Sequence, residues 1–392
     1  MTGIHILIVP SELYLPSYNK LSGIFQQHHA ELLTEFGNKV GIISAGFLPL
    51  KQAILGSKYK YVENVEGIKI YRKFIRLPLP ARINVRFLKF LLIRSYVKLF
   101  EKYINDNGIP DVIHAHNCLY AGLAAVEIKK KFNIPIILTE HSSLYERELL
   151  SGNQHKDARL VLRKCDYITV VSSALGESIK KALGISDLKY IPIYNVLDFK
   201  LATQSSFANS QIYNSFTFLS VGSLDKNKNH ELLIRAFAML FKGNLKYQLR
   251  IAGDGPLRSN LENLAQKLEI TDQFYLCGQL NRQELADEYS NSNVVVLTSK
   301  VETFGVVLLE ALSFGKPIVS TDSGGPRDIV DGENGYLVKN DDIQALLNGL
   351  KRIAENYTDF NSDKIRANCF NKFNKLAFYK RLEEIYLQIV QV

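Results

Sequence analysis

Glu302 and Glu310 stand eight positions apart in Val301-Glu-Thr-Phe-Gly-Val-Val-Leu-Leu-Glu310, with a Thr-Phe-Gly turn and an apolar run between them. A β-rich run at 294–298 precedes them, so the order reads strand, glycine-containing loop, helix. Glu302 then falls in the loop and Glu310 on the helix. Both can face one ligand above the carboxyl end of the strand, where open α/β sheets bind ligands. The amides of Thr303, Phe304, Gly305 and Val306 open that helix and form an anion site. An anion held between two carboxylates describes a ligand with a phosphate part and hydroxyl-rich parts, such as a nucleotide-sugar. Taken alone, such a segment is more often an ordinary strand–turn–helix with two solvated glutamates.

Neighbouring loops strengthen the first reading. Thr321-Asp-Ser-Gly-Gly-Pro-Arg-Asp328 places Gly324 and Gly325 between a strand and a helical run expected over 327–330. A glycine pair there lets backbone approach a ligand closely. Val221-Gly-Ser-Leu-Asp-Lys-Asn-Lys-Asn229 follows another strand and carries Ser223, Lys226 and Lys228. A lysine in such a loop can neutralise a diphosphate as a point charge, or simply be solvated. Gly253 lies in Ala252-Gly-Asp-Gly-Pro256, which has only Gly-x-Gly and so falls short of a dinucleotide fingerprint. In the first half, His116 and the pair Glu140-His141 end successive strands, and Gly23 sits in the loop after the first strand. A lone histidine is more often packed than functional; two at successive strand ends invite a site.

Strand-like and helix-like periods alternate through the whole chain, and this pattern predicts the positioning elements. Strands are expected at 4–9, 40–44, 111–116, 134–139, 167–171, 216–221, 247–252, 273–276, 294–297 and 317–320. Helices are expected at 24–36, 121–132 and 231–241, with a helical tail over 363–392. The segment 201–215, rich in Ser, Asn, Gln and Ala, interrupts the periodicity and reads as a linker. The fold class is therefore α/β, with two Rossmann-like doubly wound domains facing across a cleft. Residues 1–196 form the first domain and 197–372 the second, with a C-terminal helix at about 373–392 returning to the first. A chain of 392 residues suits that count. The four scattered cysteines show no metal-ligand spacing and suggest reduced thiols. No Asp-x-Asp occurs and no metal cluster is evident, so no metal and no cofactor is expected. The net charge of +9 admits nucleic acid, an anionic membrane or an anionic substrate. No nucleic-acid-binding motif accompanies it, and a nucleic-acid partner is not expected.

The segment 299–338 closely resembles the donor-site signature of the family 4 retaining glycosyltransferases, whose fold is named GT-B. The resemblance extends over nearly the whole chain, and Tyr194-Asn-Val-Leu-Asp198 is similar to the family's segment at the domain junction. The resemblance implies that Glu302 binds hydroxyls of the donor sugar and Glu310 those of the ribose. Amides around Phe304, Gly305 and Val306 would hold the diphosphate, countered by Lys228. The resemblance places the acceptor in the first domain and the nucleotide-sugar in the second; His116 matches the family's active-site histidine, and Ser22-Gly23 its glycine loop. Val196 and Ser22 stand where the family usually has glycine, and the departure that matters is Ser223, which stands where the family commonly has arginine and removes a charge from the diphosphate site. The implied reaction is metal-independent transfer of a hexose from a UDP- or GDP-type donor, with retention, to a glycan or lipid-linked acceptor in cell-surface polysaccharide synthesis. Two alternatives keep the fold: a nucleotide-sugar epimerase or hydrolase, and a silent nucleotide-sugar-binding relative.

The segment 72–102 is basic and rich in Phe, Leu, Ile and Tyr. On a helical wheel Arg94, Lys98 and Lys102 share one sector, opposite Leu88, Leu92, Leu99 and Tyr103. Such a stretch either lies on an anionic membrane surface or forms a domain-surface helix. With no long apolar run and no signal peptide expected, the expected setting is the cytoplasm, with peripheral contact to the inner face of the membrane.

Overall fold

The computed structural model of the chain describes residues 3–14, 22–48, 61–76, 85–196 and 215–390. The expected linker therefore lies outside the described residues except for Ser215, as do Asp198 and Arg82. The chain divides into two compact units. The first comprises Met1–Val171, Ser178–Ile193 and Tyr379–Val392; the second comprises Ser172–Glu177 and Tyr194–Phe378.

The first unit is built on β1 (His5–Pro10), α1 (Ile24–Glu35), β2 (Lys39–Phe47), β3 (Val62–Val65), β4 (Ile68–Ile75) and α2 (Val85–Asn107). It continues through β5 (Val112–His116), α3 (Leu123–Phe132), β6 (Ile136–Glu140), α4 (Gly152–Lys164), β7 (Tyr167–Val170), α5 (Ser173–Leu183), whose first residues to Glu177 group with the second unit, and β8 (Ile191–Pro192). The sheet order is β3-β4-β2-β1-β5-β6-β7-β8, parallel except for the β3–β4 hairpin. The chain winds outward from β1 to β4 and restarts on the other side at β5. The topological switch thus falls between β1 and β5, which pair Pro10 with His116 at their carboxyl ends.

The central strands β1, β5 and β6 are buried along their whole length, as parallel sheets require, and are apolar apart from His5, His114, His116, Thr139 and Glu140. The basic helix α2 packs on β2 at Gly41, where a Cβ would come within 2.2 Å of the Tyr103 hydroxyl. Its Leu92, Leu99 and Tyr103 are buried, while Arg94, Lys98 and Lys102 are exposed. Arg72, at the start of the basic segment 72–102, is buried, donating to the Tyr14 carbonyl and paired with Glu63.

The second unit contains β9 (Phe216–Val221), α6 (His230–Phe241), β10 (Tyr247–Ala252), α7 (Arg258–Lys267), β11 (Phe274–Gly278), α8 (Arg282–Asn291) and β12 (Val294–Leu297). After these come α9 (Val306–Ser313), β13 (Ile318–Thr321), β14 (Gly335–Val338), α10 (Ile343–Glu355) and α11 (Ser362–Phe373). All six strands are parallel, in the order β11-β10-β9-β12-β13-β14, so the switch falls between β9 and β12. Phe218, Phe237, Leu249, Val294 and Leu346 belong to the core.

Two expected elements differ. The run at 327–330 is a short 3-10 turn, Gly325–Asp328, because Pro326 and the positive φ of Gly324 fit a turn rather than a helix. The tail is two helices, α11 and α12 (Lys375–Val390), parted at Asn374, whose side chain accepts from the Ala377 amide. Tyr379 of α12 stacks on Phe36 at 4.0 Å between ring centroids, within the first unit.

Candidate active site

In the second unit, two loops leave the carboxyl ends of β9 and β12 side by side, and hydrogen bonds lock them together. The Lys300 amide donates to the Asn227 carbonyl (2.7 Å), and the Asn227 side chain donates to the Val301 carbonyl (3.0 Å). Thr298 Oγ1 donates to the Lys228 carbonyl at 3.0 Å. Within the first loop, Asp225 Oδ1 accepts the amides of Asn227 (2.8 Å) and Lys228 (3.0 Å). Ser223 Oγ donates to Asp225 Oδ2 at 2.5 Å. Burial pushes the Asp225 carboxyl up, but the bonds from Ser223, Lys228 and Asn227 outweigh it and hold it below the ordinary value. The serine in the expected arginine position therefore serves the loop that aims Lys228.

Lys228 Nζ lies 2.7 Å from Glu302 Oε2, with both side chains largely sheltered at 19% and 18% exposure. Ser299 Oγ approaches the same oxygen at 3.3 Å. The lysine stem lies across Gly222, where a Cβ would meet Lys228 Cδ and Cε at 3.2 Å. Gly253 supports that loop from behind: a Cβ there would stand 1.9 Å from the Gly222 carbonyl oxygen.

The loop after β13 joins the same place. The Glu302 amide donates to the Ser323 carbonyl (2.9 Å), and the Gly325 amide donates to the Glu302 carbonyl (2.7 Å). Backbones are so close that a Cβ on Gly325 would sit 2.4 Å from the Phe304 Cα. Thr303 is half-buried; the Phe304 ring is buried and stacks on Tyr194. Gly305, at φ 102°, turns the chain into α9, whose first amides at Val306 and Val307 lack acceptors within the helix. Glu310, one turn further on, accepts from the Tyr289 hydroxyl at 2.8 Å. Burial and then the Glu310 charge hold the Tyr289 phenol well above its ordinary pKa, so it remains a donor. The second unit thus gathers Lys228, Glu302 and the opening amides of α9 at one switch point, with Glu310 on the helix that follows. The chemistry of such an array suits an anion flanked by hydroxyls.

The first unit brings its expected residues together differently. His116 ends β5 and is buried, its Nδ1 2.9 Å from His141 Nε2 and its Nε2 3.3 Å from His29 Nδ1. His114, two residues earlier on the same strand face, stacks on His116 at 4.7 Å. Its ring nitrogens bond the Tyr386 hydroxyl and Thr139 Oγ1, both at 2.6 Å. Nitrogens of His29, His114 and His116 lie within 4.8 Å of one another, a spacing an ion could bridge, but both nitrogens of His114 already have partners. Burial lowers every ring: His29 to about 3, His141 to about 4, and His114 and His116 well below the usual value. The network is therefore neutral at neutral pH and offers hydrogen bonds rather than charge.

Glu140 receives the amides of Cys118 (2.8 Å) and Ser142 (2.9 Å) and the Tyr145 hydroxyl (3.1 Å). The Gly23 amide donates to Glu12 at 3.0 Å, and its φ of 83° opens α1. Sequence reading missed His29, His114, Tyr289 and Tyr386. Only the His-x-His spacing of strand β5 could have pointed to one of them.

Two parallel-sheet α/β units, one gathering Lys228, Glu302 and the opening amides of a helix at its switch point, are the arrangement of the GT-B glycosyltransferases. The group 1 glycosyl transferase family matches residues 203–371, and Glycosyltransferase Family 4 matches residues 27–201. The chain belongs to the family 4 glycosyltransferases. It is 30% identical over 294 residues to the N-acetylgalactosamine-N,N'-diacetylbacillosaminyl-diphospho-undecaprenol 4-alpha-N-acetylgalactosaminyltransferase of Campylobacter jejuni, covering 73% of this chain and 79% of that one. Its fold matches the sucrose-phosphate synthase of Thermosynechococcus elongatus with a TM-score of 0.77, at 23% identity over 98% of this chain and 99% of that one. The Anabaena protein HepE in complex with UDP matches with a TM-score of 0.75, at 18% identity over 98% of this chain and 100% of that one.

Proposed function

We propose that this glycosyltransferase moves a hexose-type sugar from a nucleoside-diphosphate donor to a glycan or lipid-linked acceptor, with retention and without a metal. One observation carries the reading: the Lys228–Glu302 ion pair, held at the switch point beside the amides that open α9. The diphosphate would exchange with Glu302 for Lys228 and take the helix amides, which stabilise leaving-group charge electrostatically. Glu302, released, would accept from sugar hydroxyls, and Glu310 from the ribose. The acceptor hydroxyl attacks the face the diphosphate leaves, and a phosphate oxygen takes its proton. His116, neutral and fixed by His141 and His29, would position the donor sugar.

The Campylobacter relative, whose name states a diphospho-undecaprenol substrate, supports a lipid-linked acceptor. Exposed Arg94, Lys98 and Lys102 on α2 support contact with the anionic inner face of the membrane. Among the described residues no helix is long and apolar enough to cross a membrane.

A thermal-shift screen against UDP-, GDP- and ADP-sugars tests the donor site. At least one should stabilise the chain, and Glu310→Ala should abolish the shift. Stabilisation by none of them, or an unaltered shift in the variant, would sink the assignment.

A further inference from the structure

We propose that Tyr289 sets a preference for ribonucleotide over deoxyribonucleotide donors by holding the Glu310 carboxylate in place; this rests on the donor-site reading above, in which Glu310 receives the ribose. Tyr289 lies on α8, outside the loops that form the site, and it is fully buried. Its ring stacks on Phe314, itself buried, with 5.4 Å between centroids and 20° between planes. Next to it, Glu288 makes a two-point ion pair with Arg250 of β10 at 2.7 and 2.8 Å, both side chains largely sheltered. The helix is thereby fixed to the sheet and the ring to the core, so the hydroxyl is presented from a rigid frame.

A phenol has one proton to donate. Glu310 Oε2 stands 2.8 Å from the hydroxyl and the Val307 carbonyl 3.5 Å, so the proton is directed to the carboxylate. Burying a hydroxyl is costly unless it is bonded, and phenylalanine would fill the same space against Phe314 without that cost. The tyrosine is therefore accounted for by Glu310 rather than by the core. Glu310 is half-buried on α9, four residues after Val306 and so about 6 Å further along the helix. A diphosphate at the amides that open α9 brings the ribose of its nucleotide alongside this carboxylate. An ionised carboxylate has about four lone-pair positions, and the phenol fixes its plane while using one of them. The neighbouring hydroxyls of a ribose can then donate to it without the glutamate first giving up rotamer freedom. A site arranged to bond hydroxyls rejects a ligand that lacks them.

The test is isothermal titration of the full chain with UDP, GDP and ADP and with their 2′,3′-dideoxy counterparts. It is run on the wild type and on Tyr289→Phe, which keeps the ring and removes only the hydroxyl. The ribonucleotide that binds best should bind the wild type roughly 30-fold more tightly than its dideoxy counterpart, the effect of two hydrogen bonds of ordinary net strength. In Tyr289→Phe that ratio should fall to about fivefold or less, while the dideoxynucleotide binds within about twofold of its wild-type affinity. A tyrosine that only packs would not move the ratio. An undiminished ratio in Tyr289→Phe, beside a clear preference for ribose in the wild type, overturns this inference alone. Equal weakening of both nucleotides in the variant makes Tyr289 a packing residue and overturns it too. Equal binding of the two by the wild type removes Glu310 from the ribose, and no binding of any nucleoside diphosphate removes the donor site itself; in both cases the reading beneath this inference has failed with it.

Discussion

Lys228→Met separates the charge of this lysine from its stem. The stem lies over Gly222 and the ammonium pairs with Glu302 at 2.7 Å, so methionine keeps the apolar contact and removes only the charge. Opposite unit charges about 4 Å apart attract by about 4 kcal/mol at an effective dielectric of 20, as an upper bound. The ammonium must first leave Glu302 and retains 19% exposure, which together reduce the net gain to about 2 kcal/mol. Isothermal titration should therefore show the nucleoside diphosphate binding roughly 30-fold more weakly to Lys228→Met. Glu302→Gln makes the opposite prediction for the same ligand. Freed from its carboxylate, Lys228 should bind the nucleoside diphosphate at least as tightly as before. The complete nucleotide-sugar should lose the extra affinity its sugar supplies. A change of less than twofold in Lys228→Met, or parallel losses of both ligands in Glu302→Gln, would refute the proposed exchange of partners.

Gly325→Ala forces a Cβ to within 2.4 Å of the Phe304 Cα, so the loops after β12 and β13 must part. Urea unfolding should show a loss of at least about 2 kcal/mol, with donor binding gone. The pH dependence of stability should report the buried histidines. Their folded values, about 3 for His29 and about 4 for His141, lie below the ordinary 6.5, so the unfolded chain takes up protons first. Their contribution is then complete above about pH 6.5 and is lost as pH falls toward 4. Each costs about 2 kcal/mol at pH 5. Glu140, whose carboxyl burial raises, offsets part of this by taking up a proton in the folded state. Urea melts at pH 7.5 and 5 check the slope, and His141→Asn should flatten it. Equal stability at the two pH values would contradict a neutral network.

What was legible in the sequence was whatever depends on local order. The strand–loop–helix over 294–313 puts Glu302 and Glu310 where the alternation says, because parallel strands and their helices are written in period and apolar runs. Lys228 reads only as a loop lysine. Its partner Glu302 is 74 positions away and becomes visible once β9 and β12 lie side by side at the switch. The histidine network is less legible still. His29 sits on a helix, His114 and His116 on β5, and Tyr386 comes from a helix 272 positions after His114. The turn after β5, with positive φ at Asn117 (71°) and Tyr120 (65°), has no sequence signal, since neither is a glycine and Ser11 holds the turn from another loop. Arg72 shows the converse: a cation at the start of a basic segment is drawn inward by Glu63 and the Tyr14 carbonyl.

The central claim is transfer with retention from a donor bound at Lys228, Glu302 and Glu310. It is tested most directly by following the anomeric proton by NMR as the chain acts on the donor that stabilises it, with and without a lipid-linked glycan. The account predicts a product with the donor's anomeric configuration, formed only when the acceptor is present. An inverted product, or free or epimerised sugar accumulating from the donor alone, would contradict it.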